Sequence, residues 1–221
     1  EMREMGFNRI SIGVQSLDNQ MLRILGRKHN ALEAKNAALF ARQAGFHNLS
    51  LDLMFGLPHQ SVEAWRKVLQ ETVDIGPDHL SLYGLTLEKG TPLEADVRLG
   101  RVPEPDPDLA ADMYEFALQL LPEHGFAQYE ISNWAKIGYQ SIHNLAYWLS
   151  NPYLGVGPGA HSYLWGQDTT PKQKNGIRFS NTLSPRAYIQ RTLNWQLVTS
   201  DALPSEIEFL GAVERTDYIH A

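Results

Sequence analysis

Leu49-Ser50-Leu51-Asp52-Leu53-Met54-Phe55 holds an apolar run, Leu51–Phe55, interrupted by a carboxylate and stopped by Gly56-Leu57-Pro58. A run this short, closed by a Gly/Pro signal, reads as a strand rather than a helix. On either side the period changes. A helix is expected from about Ala31 to Ala44, stopped by Gly45, and another from Val62 to Ile75, closed by Gly76-Pro77. Beyond those helices lie two more strand patterns, Arg9–Gln15 and His79–Thr86. Pro103-Glu104-Pro105-Asp106-Pro107 is then a loop, and Asp108 is expected to cap a long helix reaching about Glu123. Strand–helix alternation at this period predicts an α/β fold of parallel strands joined by helical crossovers. The candidates are part of an open β/α barrel or a doubly wound sheet.

Three such units do not close a barrel, and the first strand would be left with an unpaired edge. Residues 1–5 read as the last turn of a helix with Gly6 as its C′ residue. Both observations lead us to expect a fragment that begins inside a longer protein. The expected domains are residues 1–125, three β/α units, and residues 126–221, a post-barrel region. Within the latter, Tyr129–Ser132 is a short strand, Thr169–Gly176 is turn-rich, and Ser184-Pro185 starts a helix through about Leu193. The tail from Leu203 reads as a helix start.

Composition narrows the function classes. The chain has 221 residues, 43% of them apolar, and a net charge of −6 without long like-charge runs, which argues against a nucleic-acid partner. No apolar run approaches the roughly 20 residues needed to span a bilayer. No signal peptide is visible. Cysteine is absent, so these residues hold no disulfide, thiolate nucleophile or thiolate-bound cluster. A cytoplasmic location is expected. The composition leaves oligomeric state open.

Polar residues recur at equivalent places in the three strand patterns: Gln15, Asp52 and Thr86, separated by 37 and 34 positions. Such positions point to a common layer, and β/α barrels work at the carboxyl ends of their strands. Asp52 interrupts the apolar run and needs a partner, because burying a bare carboxylate is expensive. A ribose hydroxyl pair would serve, and so would neighbouring backbone amides. Arg27, in Gly26-Arg27-Lys28-His29, could clamp a carboxylate or stand in solvent as a loop cation.

A different chemistry is gathered in His143-Asn144-Leu145-Ala146-Tyr147-Trp148. An imidazole can ligate iron, and a Tyr-Trp pair offers a flat apolar wall with polar tips. A planar, iron-bearing ligand would need that combination; a hydrogen-bonded structural histidine is the competing reading. Gly155, Gly157 and Gly159 follow at alternate positions, suited to close backbone approach to a flat ligand or to a strand bend. Glu130 and His161 are further candidates. No nucleophile–His–acid grouping and no HExxH pattern is visible.

Taken in order, Arg9–Ser16, Gly26–His29, Asp52–Pro58, Pro77–Thr86, Tyr129–Ala135, His143–Trp148 and Gly155–Tyr163 resemble the oxygen-independent coproporphyrinogen III oxidase-like group of radical S-adenosylmethionine proteins. Within it the chain is most similar to the HemW-type haem chaperones, over roughly residues 3–200. The resemblance implies an open β/α barrel with a [4Fe–4S] cluster held by a CxxxCxxC loop that would lie before Glu1. It implies that Gln15, Arg27, Asp52 and Thr86 meet S-adenosylmethionine, with Asp52 at the ribose. His143, Asn144, Tyr147 and Trp148 match the HNxxYW motif associated with haem in the chaperone branch, with His143 as the iron ligand. The implied function is haem binding and delivery to haem-requiring membrane enzymes. The alternative is the oxidase itself, which removes propionate carboxyls from coproporphyrinogen III by radical chemistry. A further barrel enzyme holding a nucleotide-like ligand at Asp52 is a third reading. The tail after about Leu210 departs from the family pattern.

Overall fold

A computed structural model of the chain describes residues 1–165, 175–193 and 208–214. The elements are β1 (Arg9–Gln15), α1 (Asn19–Ile24), α2 (Ala31–Gln43), β2 (Asn48–Phe55), α3 (Val62–Asp74), β3 (His79–Gly84), α4 (Pro92–Arg98), α5 (Pro107–Glu123), β4 (Ala127–Glu130), β5 (Asn133–Ala135), α6 (Ile142–Trp148), β6 (His161–Trp165), β7 (Asn175–Ser180), α7 (Pro185–Leu193) and β8 (Glu208–Glu214). They fall into two compact units, Glu1–Gln140 and Ser141–Ala221.

The first unit is an open five-stranded sheet in the order β1-β2-β3-β5-β4. β1, β2 and β3 are parallel, in the register Ile12↔Leu51 and Leu51↔Leu80. This is the mixed α/β arrangement with a parallel sheet that the alternation predicts. The core follows from period two: Val14, Leu49, Leu51, Leu53, Leu80 and Leu82 are buried from one face of the sheet. Helices α2, α3 and α5 supply Ala34, Ala38, Trp65, Leu69, Met113 and Leu121 to the same cluster. Trp65 is fully buried, packs against Phe55 with ring centroids 5.6 Å apart, and its indole N–H donates to the Met113 carbonyl at 2.8 Å.

Local signals explain the helix ends. Asn30 and Glu33 form a reciprocal capping box at α2, and the Ser61 hydroxyl accepts from the Ala64 amide at α3. Residues 1–5 make one hydrogen-bonded turn, closed by Gly6 at φ +94°.

Several expectations are corrected. Asp106, not Asp108, caps α5, and Pro107 takes the first helical position. β3 stops at Gly84, so Thr86 lies two residues beyond its end. After α5 the sheet continues with antiparallel strands: β5 pairs antiparallel with β3, and β4 antiparallel with β5. β4 and β5 thus belong to the first sheet. Two helices unannounced in the pattern, α1 and α4, are single short segments held by side-chain caps at Asp18 and Thr91.

The second unit contains α6, α7 and an antiparallel sheet β6-β7-β8. Residues 208–214 are a strand where a helix was expected; residues 203–207 and 166–174, where the helix start and most of the turn-rich stretch were placed, lie outside the described residues. No helix of the described residues is long and apolar enough to cross a membrane.

Candidate functional site

The face of the parallel strands opposite the core is polar, because the alternation that buries Val14, Leu51 and Leu80 turns Ser11, Gly13, Ser50, Asp52, His79 and Ser81 the other way. Registers Ser11↔Ser50, Ser50↔His79 and Asp52↔Ser81 set these residues side by side. Asp52 is half-buried. Its partners are hydroxyls rather than backbone amides. Ser11 Oγ donates to both carboxylate oxygens at 2.9 and 3.1 Å, and Ser50 Oγ lies 3.4 Å from Oδ1.

Ser50 continues the chain inward. Its Oγ is 2.8 Å from His79 Nδ1, and His79 Nε2 is 2.8 Å from the Tyr129 hydroxyl on β4. A serine, a histidine and an aspartate do therefore come together, contrary to expectation. Their order is carboxylate–hydroxyl–imidazole–phenol, and Ser50 is fully buried, so the hydroxyl is no accessible nucleophile. Burial, with a smaller contribution from Arg9, pushes the His79 pKa down to about 3, which keeps the ring neutral. Burial also lowers the Arg9 pKa, opposed by Tyr129, Asp52 and Asp78; the Arg9 guanidinium bonds Asn48 Oδ1 at 2.8 Å.

Gln15 ends β1 in the left-handed region at φ +64°, an uncommon conformation for a residue with a side chain. Arg27, exposed in the loop after α1, donates to Gln15 Oε1 at 3.3 Å. The structure thus joins Gln15 to Arg27. Asp52 and its serines form a second cluster. Thr86 is exposed in the loop after β3, outside both clusters' hydrogen bonds. Glu130 serves the fold: its carboxylate accepts from the Ser132 amide at 3.1 Å and from the Asn133 side-chain amide across the β4–β5 turn.

The hexapeptide is helical. Ser141 caps α6, its hydroxyl accepting from the Asn144 amide at 3.4 Å. His143 and Tyr147, four residues apart, share one helical face, and their rings meet edge-on at 4.9 Å. Tyr147 meets Tyr153 at a tilt, with ring centroids 4.5 Å apart, Tyr153 lies 6.3 Å from Tyr163, and the Arg178 guanidinium sits 5.9 Å over the Tyr163 ring. Burial raises the Tyr153 pKa, with Arg178 opposing. His143 is exposed, as are Ile142, Tyr147, Trp148 (43%) and Leu149. So many large apolar side chains exposed on one short helix make unusual surface.

The glycine segment serves its own chain. A Cβ on Gly155 would lie 2.2 Å from the His161 carbonyl oxygen, so the close approach is backbone to backbone. Asn181 Nδ2 donates to the Gly155 and Gly157 carbonyls, and the Gly157 amide donates to the Tyr188 hydroxyl. His161 is an exposed strand residue opposite Ser180. Sequence reasoning missed Ser11, Ser50 and His79. The alternation of each strand was a usable signal, since all three occupy the face of Asp52.

Among the described residues, no group of three or more His, Cys, Asp or Glu side chains is placed to hold a metal ion. With no cysteine, these residues offer no thiolate to an iron–sulfur cluster. The polar strand face does suit an adenosyl group, whose ribose presents hydroxyl donors to a carboxylate.

The Radical SAM superfamily profile matches residues 1–72. A relative from Mus musculus, "Radical S-adenosyl methionine domain-containing protein 1, mitochondrial", is 51% identical over 164 residues, covering 74% of this chain and 37% of its own length. "Heme chaperone HemW" of Escherichia coli (strain K12) is 43% identical over 187 residues, covering 84% of this chain and 47% of its own. The chain thus spans less than half the length of these relatives. In structure it is similar to coproporphyrinogen III oxidase (HemN) from Escherichia coli, with a TM-score of 0.68 at 19% identity over 96% of this chain and 47% of that one, a likeness of fold.

Proposed function

The chain belongs to the radical SAM superfamily, among relatives that include the HemW haem chaperones, and we propose that it is part of a protein that binds haem through α6 and S-adenosylmethionine on the polar strand face. The observation that carries the haem reading is the helical presentation of His143 beside Tyr147 and Trp148 on exposed, apolar surface. Haem is a flat apolar disc whose iron takes an imidazole, and His143 makes no hydrogen bond among the described residues that would tie its ring to a structural role. Asn144, next on the helix, is assigned to the same site. The protein then passes haem to a haem-requiring acceptor protein.

Members of the family use S-adenosylmethionine with a [4Fe–4S] cluster, which supplies the electron that cleaves the sulfonium. The residues here fit the adenosyl group. Asp52, fixed by Ser11 and Ser50, accepts from the ribose hydroxyls, and Arg27, steadied by Gln15, meets the carboxylate. Thr86 is the outlying member of the set. In this reading residues 1–125 carry the radical SAM part and residues 126–221 the haem part, with β4 and β5 packed on the former. The cytoplasm is the compartment we assign; the mitochondrial name of the mouse relative supplies the competing one.

The test is transfer. The full-length parent is loaded with haem and mixed with an apo-haemoprotein, and haem movement is followed by absorbance. Acquisition of haem by the acceptor, faster than from free haem, is expected. The likeness of fold to HemN favours oxidative decarboxylation as the second reading. Formation of protoporphyrinogen from coproporphyrinogen III by the reduced, anaerobic parent, with no haem transfer, would replace the first reading by the second.

A further inference from the structure

We infer that His79, Ser50 and Tyr129 form an oriented hydrogen-bond chain that positions Asp52 for its ligand, with His79 held as the tautomer protonated on Nδ1. The inference rests on the reading of Asp52 as the adenosyl-binding carboxylate, and names the residues behind it.

Two orientations of the chain are possible on distances alone. In one, Tyr129 O–H donates to His79 Nε2, Nδ1–H donates to Ser50 Oγ, and Ser50 O–H donates to Asp52 Oδ1. In the other, every bond runs outward: Ser50 donates to Nδ1, and Nε2–H donates to the Tyr129 oxygen. The contacts of 2.8 Å on each side of the ring serve both. The carboxylate decides between them. It accepts only, and every donor dipole in the first orientation points toward its charge. The outward orientation turns the Ser50 hydroxyl hydrogen away from Oδ1 and leaves the oxygen lone pairs of Ser50 facing those of Asp52 across 3.4 Å. The ring must be neutral for either, since a doubly protonated imidazole could accept neither from Tyr129 in the first orientation nor from Ser50 in the second. The buried position of His79, 1% exposed, and the nearby Arg9 guanidinium keep it so.

The chain has a consequence for binding. Ser11 is exposed and holds both carboxylate oxygens from the solvent side. Ser50 holds Oδ1 from the buried side. Asp52 is therefore clamped between two hydroxyls before a ligand arrives, and its remaining lone pairs face the open polar surface. A ribose diol gains affinity from a carboxylate that need not be ordered on binding. His79 does not touch the ligand in this arrangement. It acts through Ser50, as a positioning residue.

Asparagine and glutamine separate the two ring nitrogens. In His79→Asn the side-chain amide nitrogen would occupy the Nδ1 position and keep a donor to Ser50. In His79→Gln the amide reaches the Nε2 position and leaves Ser50 without one. The experiment has two arms on the full-length protein. First, ¹⁵N-histidine NMR of the ligand-free protein reads the tautomer of His79, assigned by loss of its signals in His79→Asn. A pyrrole-type Nδ1 and a pyridine-type Nε2 are expected. Second, calorimetry with S-adenosylhomocysteine compares variants. His79→Asn should bind like the parent, while His79→Gln and Tyr129→Phe should bind about three- to tenfold more weakly, the range for one lost hydrogen bond. An Nε2–H tautomer, or equal affinities for the parent, His79→Gln and Tyr129→Phe, overturns the chain. Should His79→Gln fail to fold, Tyr129→Phe and the tautomer still decide. Unchanged affinity in Asp52→Asn instead overturns the adenosyl reading, while the tautomer, measured without ligand, continues to test the chain.

Discussion

Asp52 and His143 are built by opposite means. Asp52 sits in the middle of a strand, with partners delivered by register from β1 and, through Ser50 and His79, from β3 and β4. His143 sits on a seven-residue helix, exposed, with ring contacts to its own turn. The first arrangement suits a small polar ligand that must be held in one pose, since every donor is fixed before binding. The second suits a large apolar ligand that supplies most of its own contact area. Side chains gathered by strand register are thus fixed in advance, whereas those on a short exposed helix are left open to what they meet.

The contrast can be broken most severely through the core that supports the first site. Trp65→Ala removes a fully buried indole and its bond to Met113, and should cost about 3–5 kcal/mol in denaturant unfolding. Trp148→Ala, at a position 43% exposed, should change stability by less than about 1 kcal/mol yet weaken haem binding. Equal losses of stability would erase the distinction between the two regions.

Next in size is the carboxylate. Asp52→Asn keeps the shape but withdraws the charge, and should weaken S-adenosylhomocysteine binding by roughly tenfold or more, the range for hydrogen bonds to a charged group. Calorimetry on the full-length parent checks it. Haem affinity, read in the same samples, should stay as it was.

Acid should act on the first region through His79. Its pKa is 6.5 when unfolded and about 3 when folded, so the unfolded chain takes up a proton that the folded chain refuses. The stability this provides is fully present above about pH 6.5. It is lost as the pH falls toward 3, with a slope of up to about 1.4 kcal/mol per pH unit. The unfolding free energy of the parent relative to His79→Asn should be constant above pH 6.5 and fall as the pH drops from 6.5 toward 3. Parallel curves would mean that folding leaves the His79 pKa where it stands in the unfolded chain. The smallest effect is expected at Arg27→Lys: the exposed guanidinium loses its fork but keeps its charge, for a loss of only a few-fold in S-adenosylhomocysteine affinity.

The same contrast explains what could be read from the sequence. The parallel strands and their helices were legible because Arg9–Gln15 alternates and because Gly45 and Gly76 mark where the first two helices end. Asp52 was legible as a carboxylate in an apolar run. His79 was not, since its partners lie 29 residues away in Ser50 and 50 away in Tyr129, joined only by register. α1 and α4 are too short for a helical period to show, and stand on their caps. β5 has three residues and an orientation set by its partner β3. The glycines at 155–159 suit either close approach to a flat ligand or a strand bend, and in the structure Asn181 and the His161 carbonyl lie against them. That His143, Tyr147 and Trp148 stand on a helix was also hidden, since three bulky rings in six residues carry no strong helix preference.

The most direct test of the haem assignment is a titration of the full-length parent with haem, followed at the Soret band, beside the His143→Ala variant. The account predicts a shifted, saturating Soret band for the parent and, for the variant, weaker binding with the histidine-ligated spectrum lost. The same affinity and the same spectrum in both proteins would contradict it.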